Sequence, residues 1–272
     1  MKLRSKKKKA EPYLFLFLSI TWTWFFWFAG VLLGQNWLSF PTIILFIAGG
    51  LGPFSVALIL IKLGFWEGNL KDFLYNCFHP KSLPWPWYLK ILVLVLVLTV
   101  LPLVFASIIF QETFSELLRW NTPVPFLIVG ALAGAIEEPG WRGYAQKAME
   151  NKMPVLWGSL VIGVFWALWH LPLFFMPGTF QAEIGFGTPG FFLFNLALLV
   201  ASPIYGWLFK ATGGVAFGAV FYHAMGNLFR ELLSFKETGW EIDLINFAFE
   251  ALIALFIIAF AWKIMLKKPS NQ

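Results

Sequence analysis

The sequence predicts an all-α, polytopic membrane protein with eight transmembrane helices and both termini in the cytoplasm. Three observations predict it. First, 59% of the 272 residues are hydrophobic and 12% are charged, against about 25% charged in soluble globular domains. Second, apolar windows recur at residues 13–33, 42–62, 87–110, 124–148, 155–176, 190–210, 213–234 and 243–266, and a helical crossing needs about 20 such residues. Third, with the N-terminus inside, the alternation puts 16 of the 20 Lys and Arg residues on the cytoplasmic side, leaving Arg119, Arg230 and Lys236 outside and Arg142 within a span. A missed or invented span would scramble that bias, so it supports the even number of spans as well as the orientation. Eight crossings and short connections account for the whole length. Residues 1–272 are therefore read as a single integral membrane domain, with a basic tail at 1–12 and a motif core at 124–234.

Taken in order, the N-terminal MKLRSKKKKA resembles the n-region of a signal peptide. The apolar run from Tyr13 to Leu33 lacks an A-x-A cleavage pattern, however, and reads as an uncleaved first span. The lysine run suits an anionic inner leaflet and needs no nucleic acid to explain it. The net charge of +6 follows from the same asymmetry. Cys77 is the one cysteine, which excludes an intrachain disulfide and a cysteine-based metal cluster. Between the second and third spans, Phe65 to Tyr88 mixes Trp66, Phe73, Tyr75, Phe78, Trp85 and Trp87 with Lys71, Asp72 and Lys81. That composition belongs to a segment lying at the cytoplasmic interface, and its expected role is anchoring.

The fourth span carries charge into the membrane in GALAGAIEEPGWRGYAQ, residues 130–146. Each buried charge opposes insertion by roughly 2.5–3.5 kcal/mol, so Glu137, Glu138 and Arg142 call for a use. Helical spacing sorts them. Gly130, Gly134, Glu137 and Trp141 share one stripe, while Gly134, Glu138 and Arg142 step by four along its neighbour. Glu138 preceding Arg142 by four is the favoured order for an ion pair. Glu137 is then the carboxylate without a local counter-charge, able to take a proton from water and return it to a leaving amine. Gly130 and Gly134 form a G-x-x-x-G that lets another helix approach closely. Pro139 removes a backbone bond to the carbonyl of Ala135, and Gly140 loosens the helix further, so a distortion is expected just after the acids.

The fifth span places His170 inside an apolar run, with Trp166 four residues before it and Pro172 two after. In the seventh, His223 and Asn227 lie four apart on the face that also carries Ala216 and Ala219, the pattern of a packed interior face. At about 1.5 Å per residue, Glu137, His170 and His223 come within a turn or two of one depth. One site from three helices is predicted. His79, Cys77 and Glu250 are read as having no part in it.

These motifs, E-E-x-x-x-R, an aromatic-x-x-x-H and H-x-x-x-N in that order on hydrophobic spans, resemble the CPBP (Abi) family of intramembrane proteases, which includes the type II CAAX prenyl endopeptidases. The residues that match are Glu137, Glu138 and Arg142, then Trp166 and His170, then His223 and Asn227. One departure is Trp166, where the family usually has Phe; a packing difference is expected from it. The resemblance implies hydrolysis of a peptide bond at the membrane. Glu137 would activate water with the help of His170, His223 and Asn227 would donate to the oxyanion, and Glu138 and Arg142 would hold the site in register. No cofactor is required in that scheme. A competing zinc reading uses Glu137, His170 and His223 as ligands. The expected partners are a hydrophobic or lipidated peptide and membrane lipids, with no nucleic acid. Short loops and the absence of other targeting features suit a prokaryotic cell membrane. Two other classes stay open: a proton-coupled transporter, for which buried Glu, Arg and His are also expected, and a non-catalytic immunity or scaffold protein that uses the polar cluster only for helix packing.

Overall fold

A computed structural model describes residues 9–111, 124–233 and 239–269. Most of the basic tail, together with Arg119 and Lys236, lies outside the described residues. All eight apolar windows coincide with helix, and among the described residues no β-sheet forms. The helices are α1 Pro12–Leu32, α2 Thr42–Gly50, α3 Gly52–Lys62, α4 Leu70–Phe78, α5 Trp85–Phe110, α6 Val124–Glu138 and α7 Lys147–Met149. They continue with α8 Val155–His170, α9 Phe180–Ile184, α10 Pro189–Ala211, α11 Ala216–Leu232, α12 Trp240–Phe260 and α13 Trp262–Met265. Five stretches are long and apolar enough to cross a membrane, and a sixth if α2 and α3 form one bent span. Helix α11, at 17 residues, falls just below that length, and α6, at 15, reaches it only together with the helical turns that continue it. They carry two of the three polar motifs. The chain is an all-helical integral membrane protein.

Helix α1 shows how such a chain divides lipid from core. Proline at its start costs nothing, because the first N–H groups of a helix lack intrahelical partners anyway. Its buried residues, Phe15, Leu16, Ser19, Thr23, Trp27 and Gly30, follow helical spacing, while Phe17, Phe25 and Leu32 point outward. In lipid an outward apolar side chain carries no penalty, so close packing and hydrogen bonds, and not hydrophobicity, select the inner stripe.

The second predicted span is broken. Helices α2 and α3 meet at Leu51 with a bend of 51°. Pro53 offers no N–H to the carbonyl of Gly49, and glycines flank the junction. Carbonyls left near a break in a membrane need other donors, and α1 supplies them. Trp22 Nε1 donates to the Ala48 carbonyl (2.9 Å), Thr23 Oγ1 to that of Gly49 (2.8 Å) and Trp27 Nε1 to that of Phe46 (2.8 Å).

The segment expected only to anchor, Phe65 to Tyr88, makes specific packing contacts. Asn69 caps α4 through Asp72 N, and α4 then turns Phe73 and Cys77 inward against Gly143. Asn76 bonds the Gly214 carbonyl (3.0 Å) and the Ala216 amide (2.9 Å), fixing the start of α11. Burial pushes the Cys77 thiol far above its ordinary range, so it serves as packing and not as a nucleophile. His79 caps the turn that follows by accepting from Lys81 N. Around this frame α10 packs on α8 and α12, and α11 packs on α6 and α5.

Candidate active site

The helix of the E-E-x-x-x-R motif does not stop at Pro139. It continues through a π-helical segment, Pro139–Gln146, in which every residue is buried. The distortion expected from Pro139 and Gly140 is therefore present as a widened turn; π segments of this kind are frequent at functional sites. Tyr144 donates to the Phe65 carbonyl (2.8 Å), and Trp66 stacks on its ring.

Within this segment the predicted ion pair forms. Arg142 Nε donates to Glu138 Oε2 at 3.2 Å, with both side chains fully buried. Nη1 of the same guanidinium donates to Ser202 Oγ (3.0 Å), whose own hydroxyl donates to the Ser159 carbonyl (2.6 Å). The guanidinium also lies 4.7 Å from the centre of the Tyr205 ring. Ser202, Ser159 and Tyr205 were not singled out from the sequence. Small hydroxyls inside apolar spans are the signal that could have found the serines, since at depth they need partners.

Glu138 reaches farther than the spacing indicated. Its Oε1 lies 2.8 Å from His223 Nδ1, so one carboxylate joins Arg142 to the third helix of the site. A carboxylate that accepts from Arg142 leaves the Nδ1 proton on His223. The ring then faces the site with Nε2, which can donate only when the imidazole carries a second proton.

Glu137 is 6% exposed and makes no ion pair among the described residues. Its partner is neutral: Trp166 Nε1 donates to Glu137 Oε2 at 2.8 Å. His170 ends α8, where Pro172 tightens the chain into a 3₁₀ turn over Leu171–Phe175. His170 Nδ1 lies 2.8 Å from the Trp166 carbonyl. A carbonyl can only accept, so Nδ1 carries the proton, and Nε2 of the neutral ring is an acceptor for water.

The glycine pair sets α6 against α11. A Cβ on Gly130 would come within 3.2 Å of the Asn227 Cβ, and one on Gly134 within 3.0 Å of the His223 Cβ and 2.7 Å of the Val220 carbonyl. Two glycines four apart thus seat a histidine and an asparagine four apart on the antiparallel neighbour. Asn227 Nδ2 donates to the Gly130 carbonyl at 2.9 Å. That bond uses one of its two amide protons and leaves the other for a ligand. Glu250, read as lying outside the site, pairs instead with Arg230 at 3.8 Å.

Among the described residues no three His, Cys, Asp or Glu side chains are grouped closely enough to hold a metal ion. Glu137, His170 and His223 are no exception, and as placed they do not form a zinc site.

Buried carboxylates, imidazoles and an amide on helices of a membrane protein fit the class of the intramembrane hydrolases, and the relatives of the chain fall in that class. Residues 119–229, which contain every motif position, match the family described as Type II CAAX prenyl endopeptidase Rce1-like. A protein named CAAX prenyl protease 2, from Methanococcus maripaludis, is 29% identical over 250 residues, covering 89% of this chain and 91% of its own. The resemblance carried by the motifs is thus shown. The chain is similar to the CAAX prenyl endopeptidases over most of its length, and it is an intramembrane peptidase.

Proposed function

We propose that this peptidase cleaves near the C-terminus of prenylated CAAX-type or other membrane-associated peptides, using a water activated by Glu137. The observation that carries the reading is a buried Glu137 with no cationic partner among the described residues, beside a second acid, Glu138, whose oxygens are both taken. Glu137 removes a proton from water while His170 Nε2 accepts the other hydrogen bond of that water and orients it. The water oxygen bonds to the scissile carbonyl carbon, and the oxyanion that forms accepts from Asn227 and from protonated His223. The C–N bond then breaks, and the proton held by Glu137 passes to the leaving amine. Glu138 and Arg142 hold His223 and the π segment in place.

The protein is read as one integral membrane domain of eight spans with cytoplasmic termini, in a prokaryotic cell membrane. A transporter would find a use for the broken helix α2–α3. The carbonyls beside that break already accept from Trp22, Thr23 and Trp27, so the break is satisfied within the protein.

The test is cleavage of a fluorogenic prenylated C-terminal peptide, beside its unprenylated control, by the detergent-solubilised protein. Turnover of the prenylated peptide, abolished in Glu137→Ala and His170→Ala, is expected. Full activity in both variants would sink the assignment. The scheme needs no metal, so chelation should leave the rate unchanged; stoichiometric zinc required for turnover would replace it.

A further inference from the structure

Helix α8 brings more than His170 to the site. The Trp166 indole is 4% exposed and fixed on several sides, its ring 5.4 Å from Tyr205 and 5.8 Å from His223, both edge-on, and 5.5 Å from the Arg142 guanidinium. From that seat its Nε1 donates to Glu137 Oε2 (2.8 Å), while its own carbonyl receives His170 Nδ1 (2.8 Å). Among the described residues the indole is the one hydrogen-bond donor to Glu137, and Oε1 has none.

This contact supplies something the glutamate lacks. The terminal torsion of a glutamate is broad and roughly two-fold, so rotamer preference does not set the plane of its carboxylate. Proton transfer from water depends on that plane, because the accepting oxygen must lie within hydrogen-bond reach of the water in the correct direction. Packing alone would need only the shape of an aromatic ring. An indole N–H aimed at one carboxylate oxygen adds direction, engaging Oε2 and leaving Oε1 to meet the water.

We propose that Trp166 is a positioning residue for the reaction: its N–H orients the Glu137 carboxylate, and its carbonyl sets the tautomer of His170. The proposal rests on Glu137 being the base. It is tested in the full-length protein by replacing Trp166 with β-(3-benzothienyl)alanine, which keeps the bicyclic shape and puts sulfur where the N–H was, and with Phe. For the benzothienyl variant, kcat on the fluorogenic prenylated peptide is expected to fall about 10–100-fold, the rate equivalent of one hydrogen bond to a charged group. KM should stay unchanged, and the variant should still unfold cooperatively on heating in detergent. Unchanged kcat in the benzothienyl variant overturns the proposal while Glu137→Ala, if inactive, leaves the base assignment standing; an active Glu137→Ala removes both. A second readout needs no substrate. The ¹⁵N-indole proton resonance of Trp166, assigned by its loss in Trp166→Phe, should move upfield in Glu137→Leu, and a resonance that stays in place also overturns the proposal.

Discussion

Two helices of this protein are interrupted by proline and glycine, and they lie against each other: a Cβ on Gly140 would stand 2.6 Å from the Pro53 carbonyl oxygen. At α2–α3 the interruption becomes a bend of 51°, and side chains of α1 take up the nearby carbonyls. At α6 the chain instead widens into the π segment Pro139–Gln146 and carries on to α7 without a stop. The same sequence chemistry thus has two outcomes, decided by what stands alongside. Helix α1 offers indole and hydroxyl donors to backbone acceptors, so the first break is absorbed as structure. The second is lined by Ser202, Tyr205 and His223, partners for charged side chains, so Glu138 and Arg142 can stay buried there.

If this contrast is right, substitutions should separate the two breaks. The largest effect is expected from Glu137→Gln, which keeps the shape and removes the base: kcat should fall about 10²–10⁴-fold with the fold intact, measured on the fluorogenic peptide. Next, Arg142→Met leaves Glu138 buried without its guanidinium partner. It should destabilise the protein by about 3–5 kcal/mol, read as thermal unfolding in detergent. Gly140→Ala tests the seam between the breaks, where the new methyl must push on the Pro53 backbone, and about 1–3 kcal/mol of destabilisation is expected. Smallest is Trp22→Phe, which removes one donor from the first break. It should cost about 0.5–1.5 kcal/mol and leave kcat unchanged. A larger loss of turnover in Trp22→Phe than in Gly140→Ala would invert the comparison.

What could be read from the sequence follows a physical pattern. Helix positions were legible because a run of about 20 apolar residues is a local property. The Glu138–Arg142 pair was legible because four residues is one helical turn. The bend at Leu51 escaped because hydropathy does not register backbone hydrogen bonding, although Gly49, Gly50, Gly52 and Pro53 mark it. The Glu138–His223 bond escaped for another reason: it joins positions 85 residues apart, and no local spacing encodes it. Trp166 was read as a ring of a different size, because the motif asks only for an aromatic there and an indole meets it as a phenyl does. The single N–H that distinguishes them matters only once Glu137 stands 2.8 Å away.

The shared carboxylate of Glu138 has a consequence for anyone who would engineer this enzyme. A buried ion pair is often exchanged for well-packed apolar residues with a gain in stability. Here the same two oxygens serve Arg142 and His223, so such an exchange would give up the proton placement on His223 along with the pair. Robustness and turnover are thereby wired to one side chain, and selection for a tougher protein at this position would select a silent one.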